Sequence, residues 1–279
     1  MKLCLILSLL VLLYQASIGL SDDVLTLADS LSMQGRHDEA ITEYKRFIFF
    51  NPDYADNAQV FYKMGLVYRA ERDWHNAINA IETSIDLSQD PKNANERRLS
   101  LATTLIASKN YSLARLELVR ILDSTNDNLL FRRALYFSGI ISIYTFDWDS
   151  VSKNFGDFYS NNEKVKELNS TLHRTKESYK STTIAKILST IIPGAGQVYT
   201  GNWRDGLNAF VLNGVFIGFI ANSAYKKDYK DALLITFLLS YRYYTGNIYR
   251  AEKDVEKHNE AVDRRIAKEV LRIVSSDEP

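Results

Sequence analysis

The sequence predicts an all-α protein, and three observations carry that prediction. A spacing of thirty-seven residues recurs through the first half of the chain, the length of a helix–turn–helix unit. Only four prolines and twelve glycines interrupt 279 residues, which favours long helices joined by short connections. Near the C-terminus, Val255, Val262, Ile266, Val270 and Ile273 recur at helical spacing within an otherwise charged stretch.

Composition limits the function classes. Hydrophobic residues make up 46% of the chain and charged residues 24%, which suffices for a packed core. Basic and acidic residues are balanced at 34 each, so no global field draws in nucleic acid, and none is expected as a partner.

The elements follow in chain order. Residues 1–20 read as a secretory signal peptide: Lys2, an apolar run over 3–13 interrupted only by Ser8, then small and polar residues, with Ser17 and Gly19 before a cut near Leu20. An uncleaved membrane anchor is the alternative, although the apolar core is short of the roughly 20 residues a span needs. The single cysteine, Cys4, lies inside this segment. The exported chain is then expected to hold no disulfide, thiolate metal site or cysteine nucleophile, as suits an oxidising compartment.

Residues 21–158 carry four repeats. Small residues recur at Ala28, Gly65, Ala102 and Gly139, and again at Ala40, Ala77, Ala114 and Val151. A third series is His37, Trp74, Tyr111 and Trp148, and a fourth is Tyr44, Ile81, Leu118 and Phe155. Each series steps by thirty-seven. The physical reading is a pair of helices per repeat, with the first two series where the helices cross, because only small side chains let backbones approach closely there. The ring of the third series opens the second helix, after a polar residue (Arg36, Asp73, Asn110, Asp147) suited to a turn or helix start.

This pattern resembles the tetratricopeptide (TPR) repeat family across residues 21–158, and the first repeat also shows the family's turn glycine (Gly35) and closing proline (Pro52). The period is about three longer than the family's usual 34, the surplus falling around 51–57, 87–93 and 124–128. The fourth repeat departs furthest, with Val151, Ser138 and Ser142 where small or apolar residues are usual. The resemblance implies a concave groove lined by the first helices, for a protein or peptide partner. By family register its lining is Tyr62, Leu66, Arg69, Leu99, Thr103, Arg133, Tyr136 and Ile140. Some of these residues could instead pack on residues 161–180, folded back into the groove.

Residues 159–181 form a polar linker helix, with a thin stripe of Val165, Leu168 and Leu172. Residues 182–249 are strongly apolar and divide into three pieces, 184–192, 207–224 and 232–249. The last two read as a helical hairpin in lipid, with Lys226, Lys227 and Lys230 in a connection placed in the cytoplasm by the positive-inside rule. The repeats would then face outward from the cytoplasmic (inner) membrane, on the periplasmic side, in agreement with the export signal. Gly214 and Gly218 form a G-x-x-x-G that would let another helix, including one from a second copy of the chain, pack closely. A soluble apolar domain is the alternative.

Pro193, Gly194, Gly196, Gln197, Tyr199, Gly201 and Gly206 make up P-G-x-G-Q-x-Y-x-G-x-x-x-x-G. Through this motif, residues 182–259 resemble the two-transmembrane-helix domain family of bacteria, a resemblance that implies architecture rather than chemistry. The glycines permit bends and close helix contact, while Gln197 and Tyr199 are placed to bond backbone groups freed by Pro193. A phosphate loop is excluded, since no Gly-Lys-Ser/Thr follows. Residues 250–279 read as an amphipathic tail helix for the membrane surface, the repeats or a second copy.

No catalytic constellation is present. His37, His75, His173 and His258 have no second histidine or cysteine at helical spacing, and no nucleophile elbow, dinucleotide loop or zinc motif appears. The expectation is a non-enzymatic scaffold of the cell envelope, without cofactor, tethered to a membrane and binding a protein or peptide. Two alternatives stay open: a transport or membrane-protein biogenesis factor acting through the Pro-Gly-rich hairpin, and a soluble structural protein with an apolar cap.

Overall fold

The computed structural model describes residues 23–159, 162–237 and 241–277; the signal segment lies outside them. Among the described residues all regular structure is helical. The chain divides into two compact units, one reaching to Ser160 and one covering Asn161–Ser276.

The first unit is built from α1 (23–33), α2 (His37–Phe50), α3 (Asn57–Ala70), α4 (Trp74–Asp86), α5 (Pro91–Ala107), α6 (Tyr111–Ser124), α7 (Asn128–Tyr144) and α8 (Trp148–Tyr159). His37, Trp74, Tyr111 and Trp148 each open the second helix of a pair, as their spacing predicts. The crossings are close. A Cβ added at Gly65 would sit 2.6 Å from Ile81 Cγ1, and one at Gly139 would sit 2.5 Å from Phe155 Cε2. Ala40, Ala77, Ala114 and Val151 are fully buried, as are Ile81, Leu118 and Phe155. Part of the surplus over a 34-residue period lengthens helices, since α5 and α7 have 17 residues each.

One device repeats at the turns. Gly35, Arg72, Lys109 and Phe146 all adopt positive φ (74°, 61°, 64° and 57°), thirty-seven residues apart. The next residue in each case donates its amide five residues back: Arg36 to Leu31, Asp73 to Tyr68, Asn110 to Leu105, and Asp147 to Ser142. Each left-handed residue also donates three residues back, which completes a Schellman motif closing the first helix. The residue after it starts the second helix; Asp73 and Asp147 cap with their carboxylates, accepting from the amides of Asn76 and Ser150.

Ser138 and Ser142 keep their unusual positions by bonding back one turn. Their hydroxyls donate to Ala134 O and Ser138 O, so fully buried Ser142 carries no unmet donor.

The second unit contains α9 (Asn162–Lys176), α10 (Thr182–Ile191), α11 (Ala195–Tyr199), α12 (Trp203–Tyr225), α13 (Tyr229–Ile235) and α14 (Tyr241–Val274). The linker stripe and the tail stripe meet here: α9 packs on α14, with Leu168, Leu172, Val262, Ile266 and Val270 all buried. The last buried position is Val274 rather than Ile273, since from Val262 the buried residues step by fours through Ile266 and Val270. Residue 249 is no boundary, since α14 runs through it, holding Ala251 and Val255 in a core with Ala185 of α10. The apolar stretch 232–249 is accordingly shared between α13 and α14, with 238–240 outside the described residues.

Helix α12 is the one helix among the described residues long and apolar enough to cross a membrane, by length and composition. Of its most apolar window only 6% is buried. Leu207, Phe210, Val211, Ile217 and Phe219 are more than half exposed, whereas polar Asn213 is buried and donates to Ala209 O at 2.7 Å.

Candidate partner-binding groove and the glycine motif

Helices α3, α5 and α7 border one cavity. Tyr62, Leu66, Arg69, Leu99, Thr103 and Arg133 line a single cavity of about 560 Å³, together with Glu96 and Phe137. Leu99 is 2% exposed and forms its floor. Arg69 Nη1 donates to Thr103 Oγ1 at 3.1 Å, tying the second repeat to the third. Arg133 Nε is shielded from solvent and has no hydrogen-bond partner. Two guanidinium groups against one carboxylate give the lining a cationic bias.

Tyr136 and Ile140, expected in the lining, are not part of it. Tyr136 is 5% exposed and packs edge-on against Phe155, with ring centroids 5.9 Å apart. The register position it shares with Leu99 is a floor position, and in the fourth repeat the ring is roofed by Phe155 and Phe158 of α8. Phe137, one turn beyond Arg133, takes the lining place. Its spacing from Arg133 was the available signal.

Leu66 also borders a neighbouring cavity of about 300 Å³, with Asp29, Met33, His37, Tyr44 and Lys63. Asp29 organises that end. Its carboxylate accepts from Tyr44 Oη at 2.6 Å and pairs with Lys63 Nζ at 2.6 Å. Burial, then the bond to Asp29, pushes the Tyr44 phenol above its ordinary pKa. His37 pairs with Glu71 at the repeat turn.

The Pro-Gly motif of the second unit is consumed by packing. Gly194 has φ 96° and lies against Gly206, where a side chain on either would strike the other's carbonyl. A Cβ at Gly196 would overlap Ala185 O and Ser189 Oγ, and sit 2.8 Å from Ala251 Cβ. Gln197 is 1% exposed and reaches Asn247 of α14. Tyr199 Oη accepts from the Ser181 amide at 3.2 Å, at the start of α10. Gly201 supplies another positive φ, 91°. Gly214 and Gly218 differ: no heavy atom lies within 4 Å of a Cβ built on either, so this helix face is open.

No group of three or more His, Cys, Asp or Glu among the described residues could hold a metal ion. No protein-family model matches the chain, and a search of curated proteins finds no match.

Proposed function

We propose that the chain is a membrane-tethered scaffold whose TPR-type repeats bind a protein or peptide partner outside the cytoplasmic membrane. The groove of the first helices carries this reading. Tyr62, Leu66, Arg69, Thr103 and Arg133 come from three consecutive repeats and converge on one cavity. The guanidinium groups of Arg69 and Arg133 and the aromatic ring of Tyr62 supply the polar and apolar anchors that peptide recognition uses. The tether is α12, whose exposed surface between Asn208 and Asn222 is apolar while Asn213 is buried, the reverse of a helix in water. Lys226, Lys227 and Lys230 after this helix support, by the positive-inside rule, a cytoplasmic C-terminal end with the repeats on the opposite side.

The test uses the full chain in native envelopes, with a photo-crosslinking residue at Tyr62 or at Leu116, which is exposed on α6. A discrete adduct from Tyr62, absent from Leu116 and lost with Arg69→Ala and Arg133→Ala, is the expected result. No adduct from Tyr62, or the same adduct from both positions, would reject the groove as the site.

A further inference from the structure

Helices α12 and α14 run antiparallel, as Phe216 meets Tyr243 while Asn202, just before α12, reaches Asp254. Between them lies a cavity of about 590 Å³ whose α14 wall carries Arg242, Arg250, Lys253 and Lys257. At 100° per residue these four fall within one side of the helix. Lys253 is paired with Glu256 at 2.6 Å. Arg242, Arg250 and Lys257 have no side-chain hydrogen bond or ion pair among the described residues. The cavity also contains two carboxylates, Asp205 and Asp254, but both are bound to Asn202 Nδ2, at 2.7 and 3.2 Å. On the buried wall Asn247 is 4% exposed; its Oδ1 is taken by Gln197, while its Nδ2 has no partner.

We propose that this cavity binds a phosphate group. Three unpaired cations, Arg242, Arg250 and Lys257, face two carboxylates bonded to Asn202, two of the three carry the fork that pairs with phosphate oxygens, and a buried amide donor stands unused beside them. The volume exceeds that of a bare ion and admits a headgroup. The apolar face of α12 continues from the cavity, which favours a glycerophospholipid over a soluble phosphate. The proposal stands on these residues and does not depend on partner binding by the repeats.

The test titrates full-length protein in neutral detergent, by calorimetry, with short-chain phosphatidylglycerol and separately with inorganic phosphate. Binding of the lipid alone identifies a headgroup site, and binding of inorganic phosphate identifies a soluble-anion site. Arg242→Gln/Arg250→Gln/Lys257→Gln is expected to weaken either by roughly tenfold or more. Lys226→Gln/Lys227→Gln/Lys230→Gln removes equal charge outside the cavity and is expected to leave binding unchanged. Should the cavity triple variant fail to fold, Lys257→Gln alone is expected to lose about threefold. Absence of binding to both probes, or equal losses in the cavity and control variants, would overturn the proposal.

Discussion

Gln197 Nε2 donates to two oxygens of Asn247, the side-chain Oδ1 at 2.6 Å and the main-chain carbonyl at 3.1 Å. Ser189 Oγ completes the link, donating to Gln197 Oε1 at 3.3 Å and accepting from the Gly196 amide at 3.0 Å. Three helices are thereby joined by buried polar groups, all satisfied except Asn247 Nδ2. Replacing Gln197 by Leu leaves both Asn247 oxygens buried without this donor, at a cost of about 2 kcal/mol. Denaturant unfolding of the full chain in micelles measures it, and Gln197→Leu/Asn247→Leu should cost less than the sum of the two single changes. Strict additivity would deny the coupling.

The two glycine classes should behave oppositely. Gly196→Ala forces a methyl against Ala185 O and Ala251 Cβ and should lower the midpoint of thermal unfolding strongly. Gly214→Ala meets open space in mid-helix and should leave it unchanged or raise stability by up to about 1 kcal/mol. A large loss at Gly214 would reveal a partner helix on that face.

At the Schellman turns, Lys109 and Arg72 hold a left-handed backbone that costs an ordinary residue about 1 kcal/mol. Lys109→Gly should therefore stabilise the repeats by about that amount, and Gly35→Ala should destabilise them comparably. Chemical denaturation reads both. Destabilisation by Lys109→Gly, or no loss in Gly35→Ala, would contradict the assignment of the turn.

Acid should loosen the helix starts. Asp73, Asp127 and Asp147 are held below the usual carboxylate range, chiefly by side-chain bonding with Asn76, by the Leu130 amide, and by side-chain bonding with Ser150, respectively. A depressed folded pKa means stability that is complete above the unfolded value of about 3.9 and is lost as pH falls through the folded one. Circular dichroism melts should show a falling midpoint below about pH 4, with a shallower fall in Asp73→Asn/Asp147→Asn. An identical slope in that variant would remove the caps as the cause.

Much of the first unit was legible because close crossings accept few residue types, so Gly65 and Gly139 announce themselves. The left-handed turn positions were not, since Arg72, Lys109 and Phe146 carry no mark of positive φ and only Gly35 does. Tyr62, Leu66, Arg69, Leu99, Thr103 and Arg133 do border one cavity, whereas register alone does not separate a floor position such as Tyr136 from a wall position. Both amphipathic stripes of the second unit were visible, but an apolar stripe does not name its partner, and the union of α9 with α14 emerged only in three dimensions. In sequence Arg250, Lys253 and Lys257 belong to a charged tail and Arg242 to an apolar stretch, and only the packing of α14 beside α12 brings all four to one cavity.

The most direct test of the tether is alkaline carbonate extraction of native membranes, comparing the full chain with Val211→Asp/Ile217→Asp on the exposed face of α12. We expect the full chain to remain in the pellet and the variant to be released. Release of the full chain would contradict a bilayer-spanning α12 and, with it, the membrane-tethered scaffold.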